Sequence, residues 1–353
     1  MSIVEKEKHT FWALFVCLAI GASYFLFTAL ASRRSSGRIF AYDGDDMDEL
    51  SARDAAFIKR IKMDSGSTVN TMDDISFDDI IGQSDAKDAI MKAIIWPAMN
   101  ENLFQGLRTP PPAVLLYGPP GTGKTMLVRA VMTVLMKTLK GVSFFNVSAS
   151  TFAAKYHGDG ERLVRCLFKA AAESQRSVIF IDEIDAILSS RAMSNDDASL
   201  RVKTEFLINL DGLVKARNVV LIAATNLPHH LDPAFLRRCG RKVKVGLPSG
   251  EERFELLKKL FKDEKHSITE SEMYSFAHSD LHSYSSSDVY MLAREAAVIA
   301  LDSVLQTLPI KSITPADIPS ISINHLRLAK VKVKPSFGGH STLKDIENWE
   351  KNV

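Results

Sequence analysis

The chain has 353 residues, 46% hydrophobic and 24% charged, which is enough apolar material for two folded domains with extensions and too much for disorder throughout. A net charge of +2 without a long basic block gives no electrostatic case for nucleic acid, and none is expected as a partner. Cys17, Cys166 and Cys239 are scattered and lack CxxC spacing, so neither a disulfide framework nor a zinc site is indicated.

Residues 1–10 form a short polar tail. From Phe11 to Ala31 no residue is charged, and as a helix this stretch would be roughly 31 Å long, the thickness of a bilayer core. It is expected to be a single transmembrane anchor. A cleaved signal peptide is the alternative, with Ala29-Leu30-Ala31 as the cleavage site, but Glu5-Lys6-Glu7-Lys8 lacks the positive charge of such a leader. Arg33, Arg34 and Arg38 follow the segment and only Lys6 and Lys8 precede it, which favours a cytosolic body. Residues 32–70 read as a polar linker with a short helix around Ala52 to Ile61.

From 71 to 248, short apolar runs alternate with helical patterns, the signature of a parallel sheet with crossover helices. The expected strands are Ala113 to Tyr117, Ser143 to Ser148, Ser177 to Ile181, Val219 to Thr225 and Lys242 to Val245. After Pro248 the β-type runs stop. Glu251 to Lys262, Glu270 to Ala277, Asp288 to Val304 and Asn324 to Val331 have apolar residues at helical spacing, which predicts a smaller helical lid over 249–332. A C-terminal segment, 333–353, closes the chain. The expected fold is thus α/β, a five-stranded parallel sheet with a smaller C-terminal helical lid domain, preceded by one transmembrane helix. No internal repeat argues for a tandem duplication.

Gly118-Pro119-Pro120-Gly121-Thr122-Gly123-Lys124-Thr125 matches GxxxxGK[ST], follows an apolar strand and opens the helical run Met126 to Met136. Such a loop curls backbone N–H groups around phosphate oxygens, Lys124 neutralises the β- and γ-phosphates, and the Thr125 hydroxyl ligates Mg²⁺. ATP with Mg²⁺ is the implied ligand pair, and the five-stranded sheet is expected to be that of a P-loop NTPase. Val178-Ile179-Phe180-Ile181-Asp182-Glu183 is an apolar strand ending in two carboxylates. Asp182 suits the Mg²⁺ shell and Glu183 the water that attacks. Leu221 to Asn226 is another strand with a polar end, and parallel strand ends converge on one crevice, which puts Asn226 near the γ-phosphate or the water. Arg237 and Arg238 follow in a segment expected at the domain edge, where arginine can stabilise a transferring phosphoryl group.

The order of phosphate loop, aromatic-Gly loop, IDEID, ATN and LRR resembles the AAA ATPases from about Ile75 onward. That resemblance implies a ring, usually a hexamer, with Arg237 and Arg238 as fingers on the adjacent subunit's ATP. It implies that Phe77 to Gly82, Ile81 and Gly82 included, contribute backbone around adenine. It implies that Lys155-Tyr156-His157-Gly158 form a first pore loop; from the residues alone Tyr156 reads as a packing aromatic. Phe144 to Ser148, Gly160 to Arg165, Asp197 to Leu207 and the tail from Val333 to a last helix with Trp349 are similar to the microtubule-severing branch of spastin, fidgetin and katanin. There Arg201 and Lys203 would border a second pore loop.

His157, Leu200 and Ser286 depart from that branch's pattern. His157 and Leu200 bear on the grip on an acidic tubulin tail, and Ser286 on coupling between lid and nucleotide. Residues 33–70 hold as many acidic as basic side chains, so no basic tubulin-binding arm is evident. The layout of one anchor, a short linker and one motor instead resembles mitochondrial outer-membrane dislocases that extract tail-anchored proteins. The leading expectation is a membrane-anchored homo-hexameric motor that pulls polypeptide, with tubulin C-terminal tails as substrate. A dislocase for tail-anchored membrane proteins is the alternative, and a nucleotide-binding scaffold without turnover the third. The endoplasmic reticulum or the mitochondrial outer membrane is the expected location.

Overall fold

The computed structural model describes residues 75–154, 160–190, 197–213, 216, 218–306, 314–336 and 340–351, with Ala56, Ile58 and Lys59, all within one compact unit, Asp48–Val353. The expected transmembrane segment and first pore loop lie outside the described residues, as does most of the linker. Among the described residues no helix is long and apolar enough to cross a membrane. Ile58 is helical and packs on the main core.

A 3-10 turn, Phe77–Asp79, closed by reciprocal bonds between Ser76 and Asp79, leads to helix α1, Ser84–Ile90. The helix passes through a π segment, Met91–Ile95, into α2, Trp96–Met99. Pro110, Pro111 and Pro112 have no amide hydrogen to continue a helix, and the chain enters strand β1, Ala113–Tyr117. The phosphate-loop sequence then opens α3, Lys124–Thr138. There follow β2, Val142–Ser148; α4, Ser150–Ala154; α5, Gly160–Glu173; β3, Arg176–Asp182; α6, Asp185–Leu188; and α7, Asp197–Leu213. Strand β4, Val219–Thr225, helix α8, Pro233–Arg238, and strand β5, Arg241–Lys244, complete the α/β part.

All strand pairs are parallel, in the order β2-β3-β4-β1-β5. Alternating side chains of each central strand feed two different cores. Ala113 and Leu115 join Phe145, Ile179, Ile181 and Leu221 on one face, while Val114 and Leu116 join Phe144, Val178, Phe180 and Ile222 on the other. Helices cover both faces, which is why β1 is apolar along its whole length instead of alternating with polar residues.

The lid consists of α9, Gly250–Phe261; α10, Glu270–Ser275; α11, Ser286–Leu305; and α12, Ile323–Lys332. Capping boxes at Ser249/Glu252, Thr269/Glu272 and Ser285/Asp288 satisfy the amides that open α9, α10 and α11. Its own core gathers Leu257, Phe261, Phe276, Leu292, Ala296 and Leu326. Helix α10 does not run to Ala277 as an α-helix, because a π segment takes over at Phe276–Asp280. Met273, Phe276, Ala277 and Leu281 are all buried in the lid core across this change of helix type. The last helix, α13, His340–Glu350, returns to the α/β part.

Candidate nucleotide site

The phosphate loop leaves the sheet at Gly118, where a side chain could not follow. A Cβ there would lie 2.1 Å from the Val245 carbonyl oxygen. At Gly123 the backbone has φ +100°, a left-handed geometry that turns the chain into α3 and that L side chains rarely adopt. The loop therefore ends on the N-terminus of a 15-residue helix, where unpaired amides and the helix dipole favour negative charge.

Lys124, the first residue of α3, is buried. Its Nζ donates to the carbonyls of Gly118 at 2.9 Å and Pro119 at 2.8 Å. Burial lowers its pKa from 10.5 to about 8, against the attraction of Asp182 and Asp185. The ammonium's hydrogen bonds go to backbone carbonyls and no anion among the described residues touches it, although Asp182 and Asp185 attract it from a distance; a polyphosphate is the ligand that would supply that contact.

The Thr125 hydroxyl donates to Asp182 Oδ2 at 3.0 Å. This joins the start of α3 to the end of β3 and sets two oxygen ligands side by side, the donor chemistry that Mg²⁺ prefers. The residues present thus fit both the nucleotide and its metal. Asp182 Oδ1 accepts the Glu183 amide at 2.9 Å, and Glu183 itself is exposed with φ +53°. For a non-glycine residue that backbone costs about 1 kcal/mol or more. The surrounding chain holds it there by Ile184 N–H donating to the Ala224 carbonyl at 3.0 Å, which pins the turn to β4.

Strand β4 lies between β1 and β3, with Thr225 opposite Tyr117 and Ala223 opposite Ile181. Asn226 therefore emerges between the phosphate loop and the Asp182-Glu183 turn, half-buried. On the other side, Gly82 has φ +67°, and an added Cβ would lie 1.8 Å from Glu252 Oε1 in the lid. That same oxygen accepts the Gln83 amide at 3.0 Å, and Gln83 Nε2 donates to the Gly246 carbonyl at 2.8 Å. Ile81 and Gly82 are thus fastened to the hinge between the two parts.

The two arginines differ. Arg238 makes a two-pronged pair with Asp211 at 2.6 and 2.7 Å and donates to the Ala234 carbonyl at 2.9 Å. Arg237 is exposed, with neither a hydrogen bond nor an ion pair among the described residues. Arg201 is exposed on α7, whereas Lys203 is tied by an ion pair to Asp232, the N-cap of α8. Lys203 is therefore a brace between helices within the protomer.

Sequence reasoning passed over Asp185, whose Oδ1 accepts the Thr225 hydroxyl at 2.6 Å while its charge supports Lys124. The signal was available: Asp185 is the third acid of Ile181-Asp182-Glu183-Ile184-Asp185. Gln83 and Glu252 were also missed, and no local pattern links residues so far apart.

Residues 114–247 match the model of the ATPase family associated with various cellular activities (AAA). A crystal structure of the FIGL-1 AAA domain with ADP superposes with a TM-score of 0.69 at 34% identity, covering 82% of this chain and 96% of that one. The chain belongs to the AAA family of ATPases. Spastin from Naegleria gruberi is 38% identical over 312 residues, covering 87% of this chain and 57% of the relative. Spastin from Danio rerio is 46% identical over 220 residues, covering 62% of this chain and 37% of the relative. A structure that describes katanin self-assembly has a TM-score of 0.66 at 32% identity, covering 86% of this AAA chain and 98% of that chain. The AAA protein thus spans between 37% and 57% of the length of these two spastins.

Proposed function

We propose that this AAA protein is a spastin-like motor, assembled as a homo-hexamer, that hydrolyses ATP and uses the energy to pull polypeptide, with microtubules as its substrate. The observation that carries the hydrolytic reading is the meeting of Thr125 and Asp182 beside the buried Lys124, with Glu183 next in the chain.

Lys124 exchanges its two backbone carbonyls for phosphate oxygens and so binds and orients the triphosphate. Thr125 and Asp182 would hold Mg²⁺, which supplies charge neutralisation on the phosphates when bound. Glu183, exposed at the strand end, takes the proton from the attacking water as its oxygen bonds to the γ-phosphorus, and the bridging bond's electron pair leaves with ADP. Asn226 orients that water or the γ-phosphate. Arg237 is the cation free to reach a neighbouring subunit's ATP, while Arg238 would first have to leave Asp211. Lys155, Tyr156, His157, Gly158 and Arg201 would face polypeptide in the central channel.

The similarity to spastin and to katanin supports microtubules over other polymers. Phe11 to Ala31 supports a membrane anchor with the motor in the cytosol, at the endoplasmic reticulum or the mitochondrial outer membrane, and that layout favours a second reading, extraction of tail-anchored proteins. Full-length protein with labelled microtubules and ATP separates the two. Filament loss that requires ATP supports severing. Intact filaments at saturating enzyme refute it, and extraction of a tail-anchored protein from liposomes would then establish the second reading.

A further inference from the structure

The lid touches the phosphate loop directly, and the C-terminal segment is tied to both. Ser287 N–H donates to the Gly121 carbonyl at 3.0 Å. The approach is close enough that a Cβ on Gly121 would lie 2.6 Å from Ser285 Oγ. Behind this contact sits Asp288, a buried carboxylate that accepts four hydrogen bonds. Ser285 gives its amide at 2.9 Å and its hydroxyl at 2.8 Å to Oδ2, while Ser336 gives its amide at 3.2 Å and its hydroxyl to Oδ1. One residue before Ser285, the Tyr284 hydroxyl donates to the Val333 carbonyl at 2.7 Å. The turn that opens α11 is therefore fastened to residues 333–336.

The far end of this segment grips the other side of the phosphate loop. In α13, Trp349 packs edge-on against Tyr117, with ring centroids 4.8 Å apart and planes at 70°. Tyr117 is the last residue of β1, immediately before Gly118. Glu350 accepts from Lys244 of β5 at 2.8 Å, and Ile346 is buried. The two ends of the C-terminal segment thus hold two points of the loop, its middle at Gly121 through the lid and its start at Tyr117 through the sheet.

We infer that the C-terminal segment is a strap that seats the lid on the phosphate loop, with Asp288 as its latch and Ser336, Tyr117 and Trp349 as positioning residues for nucleotide binding. This deepens the ATPase reading and rests on it. Only molecules with the lid seated offer Gly121 and its neighbours in the geometry described, so loosening the strap lowers apparent nucleotide affinity by the fraction unseated. The strap touches none of Thr125, Asp182 and Glu183, so turnover at saturating ATP is retained.

The test uses full-length protein carrying Ser336→Ala or Trp349→Ala, with Ser336→Thr and Trp349→Phe as conservative partners. Loss of one charge-assisted bond at Asp288 is expected to raise KM for ATP up to about tenfold with kcat little changed, and threonine should restore it. Trp349→Ala should act in the same direction and Trp349→Phe much less. Hydrogen exchange of the nucleotide-free protein should show faster exchange at the Ser287 amide in both alanine variants. The strap is overturned if KM and Ser287 exchange match wild type in both alanine variants, or if kcat falls while KM holds. If wild-type protein binds no ATP, the ATPase reading fails instead, and the exchange measurement alone decides the strap.

Discussion

Replacing Lys124 with methionine, a side chain of similar size without the charge, makes the cost of the buried ammonium measurable. In the nucleotide-free protein burial depresses this lysine from 10.5 to about 8, even with Asp182 and Asp185 attracting it. Folding therefore disfavours the charged form. Below about pH 8 both folded and unfolded chains hold the proton and the penalty is present in full. As pH rises from about 8 to about 10.5, the folded chain has released its proton while the unfolded chain still binds it, so stability climbs. At ~1.36 kcal/mol per unit of pKa difference, wild type should gain about 3 kcal/mol on the Lys124→Met variant across that window. The two carbonyl bonds to Gly118 and Pro119 set the offset between the proteins at neutral pH, and the remaining titrating groups, common to both, cancel in the difference. Urea unfolding of both proteins from about pH 7 to about pH 10.5 measures this change. A difference that stays constant with pH would refute the reasoning that burial, and not a compensating partner, governs Lys124.

Glu183→Gln should cut ATP turnover by at least ~100-fold with nucleotide binding retained, read by phosphate release beside a binding titration. Loss of binding instead would make Glu183 a structural cap. Gly82→Ala combines a left-handed φ of +67° with a Cβ 1.8 Å from Glu252 Oε1, and thermal melting should show a loss of at least ~2 kcal/mol; wild-type melting would mean that the hinge adjusts freely. A double-mutant cycle on Arg238 and Asp211, both partly exposed, should give a coupling below ~1 kcal/mol, since water screens such a pair. Arg237→Ala should leave protomer stability within ~0.5 kcal/mol of wild type yet lower turnover of the assembled protein. Unchanged turnover there would remove Arg237 from the finger role.

Local chemistry made much of the α/β part legible. Ala113–Tyr117 and Val219–Thr225 form strands with the bounds read from the sequence, because each is a short apolar run stopped by glycine or asparagine. The phosphate loop was equally plain, since glycine spacing and the lysine that follows carry its chemistry. Helix α10 was less so: Met273, Phe276, Ala277 and Leu281 stand at i, i+3, i+4 and i+8, the spacing of an ordinary α-helical face, so apolar periodicity cannot reveal the π segment at Phe276–Asp280.

What the sequence determined by itself was the set of reactive groups and the strands that bear them, because both are contiguous motifs whose chemistry and periodicity operate over a few residues. Which of those groups meet was decided by the tertiary structure. Strand order put Asn226 between the loop and Glu183, Asp211 took Arg238, and Asp232 paired with Lys203. The contacts from Gly82 to Glu252, Asp288 to Ser336 and Tyr117 to Trp349 join residues far apart in the chain. Such pairings depend on how the lid and last helix pack against the sheet, and no periodicity along the chain records them.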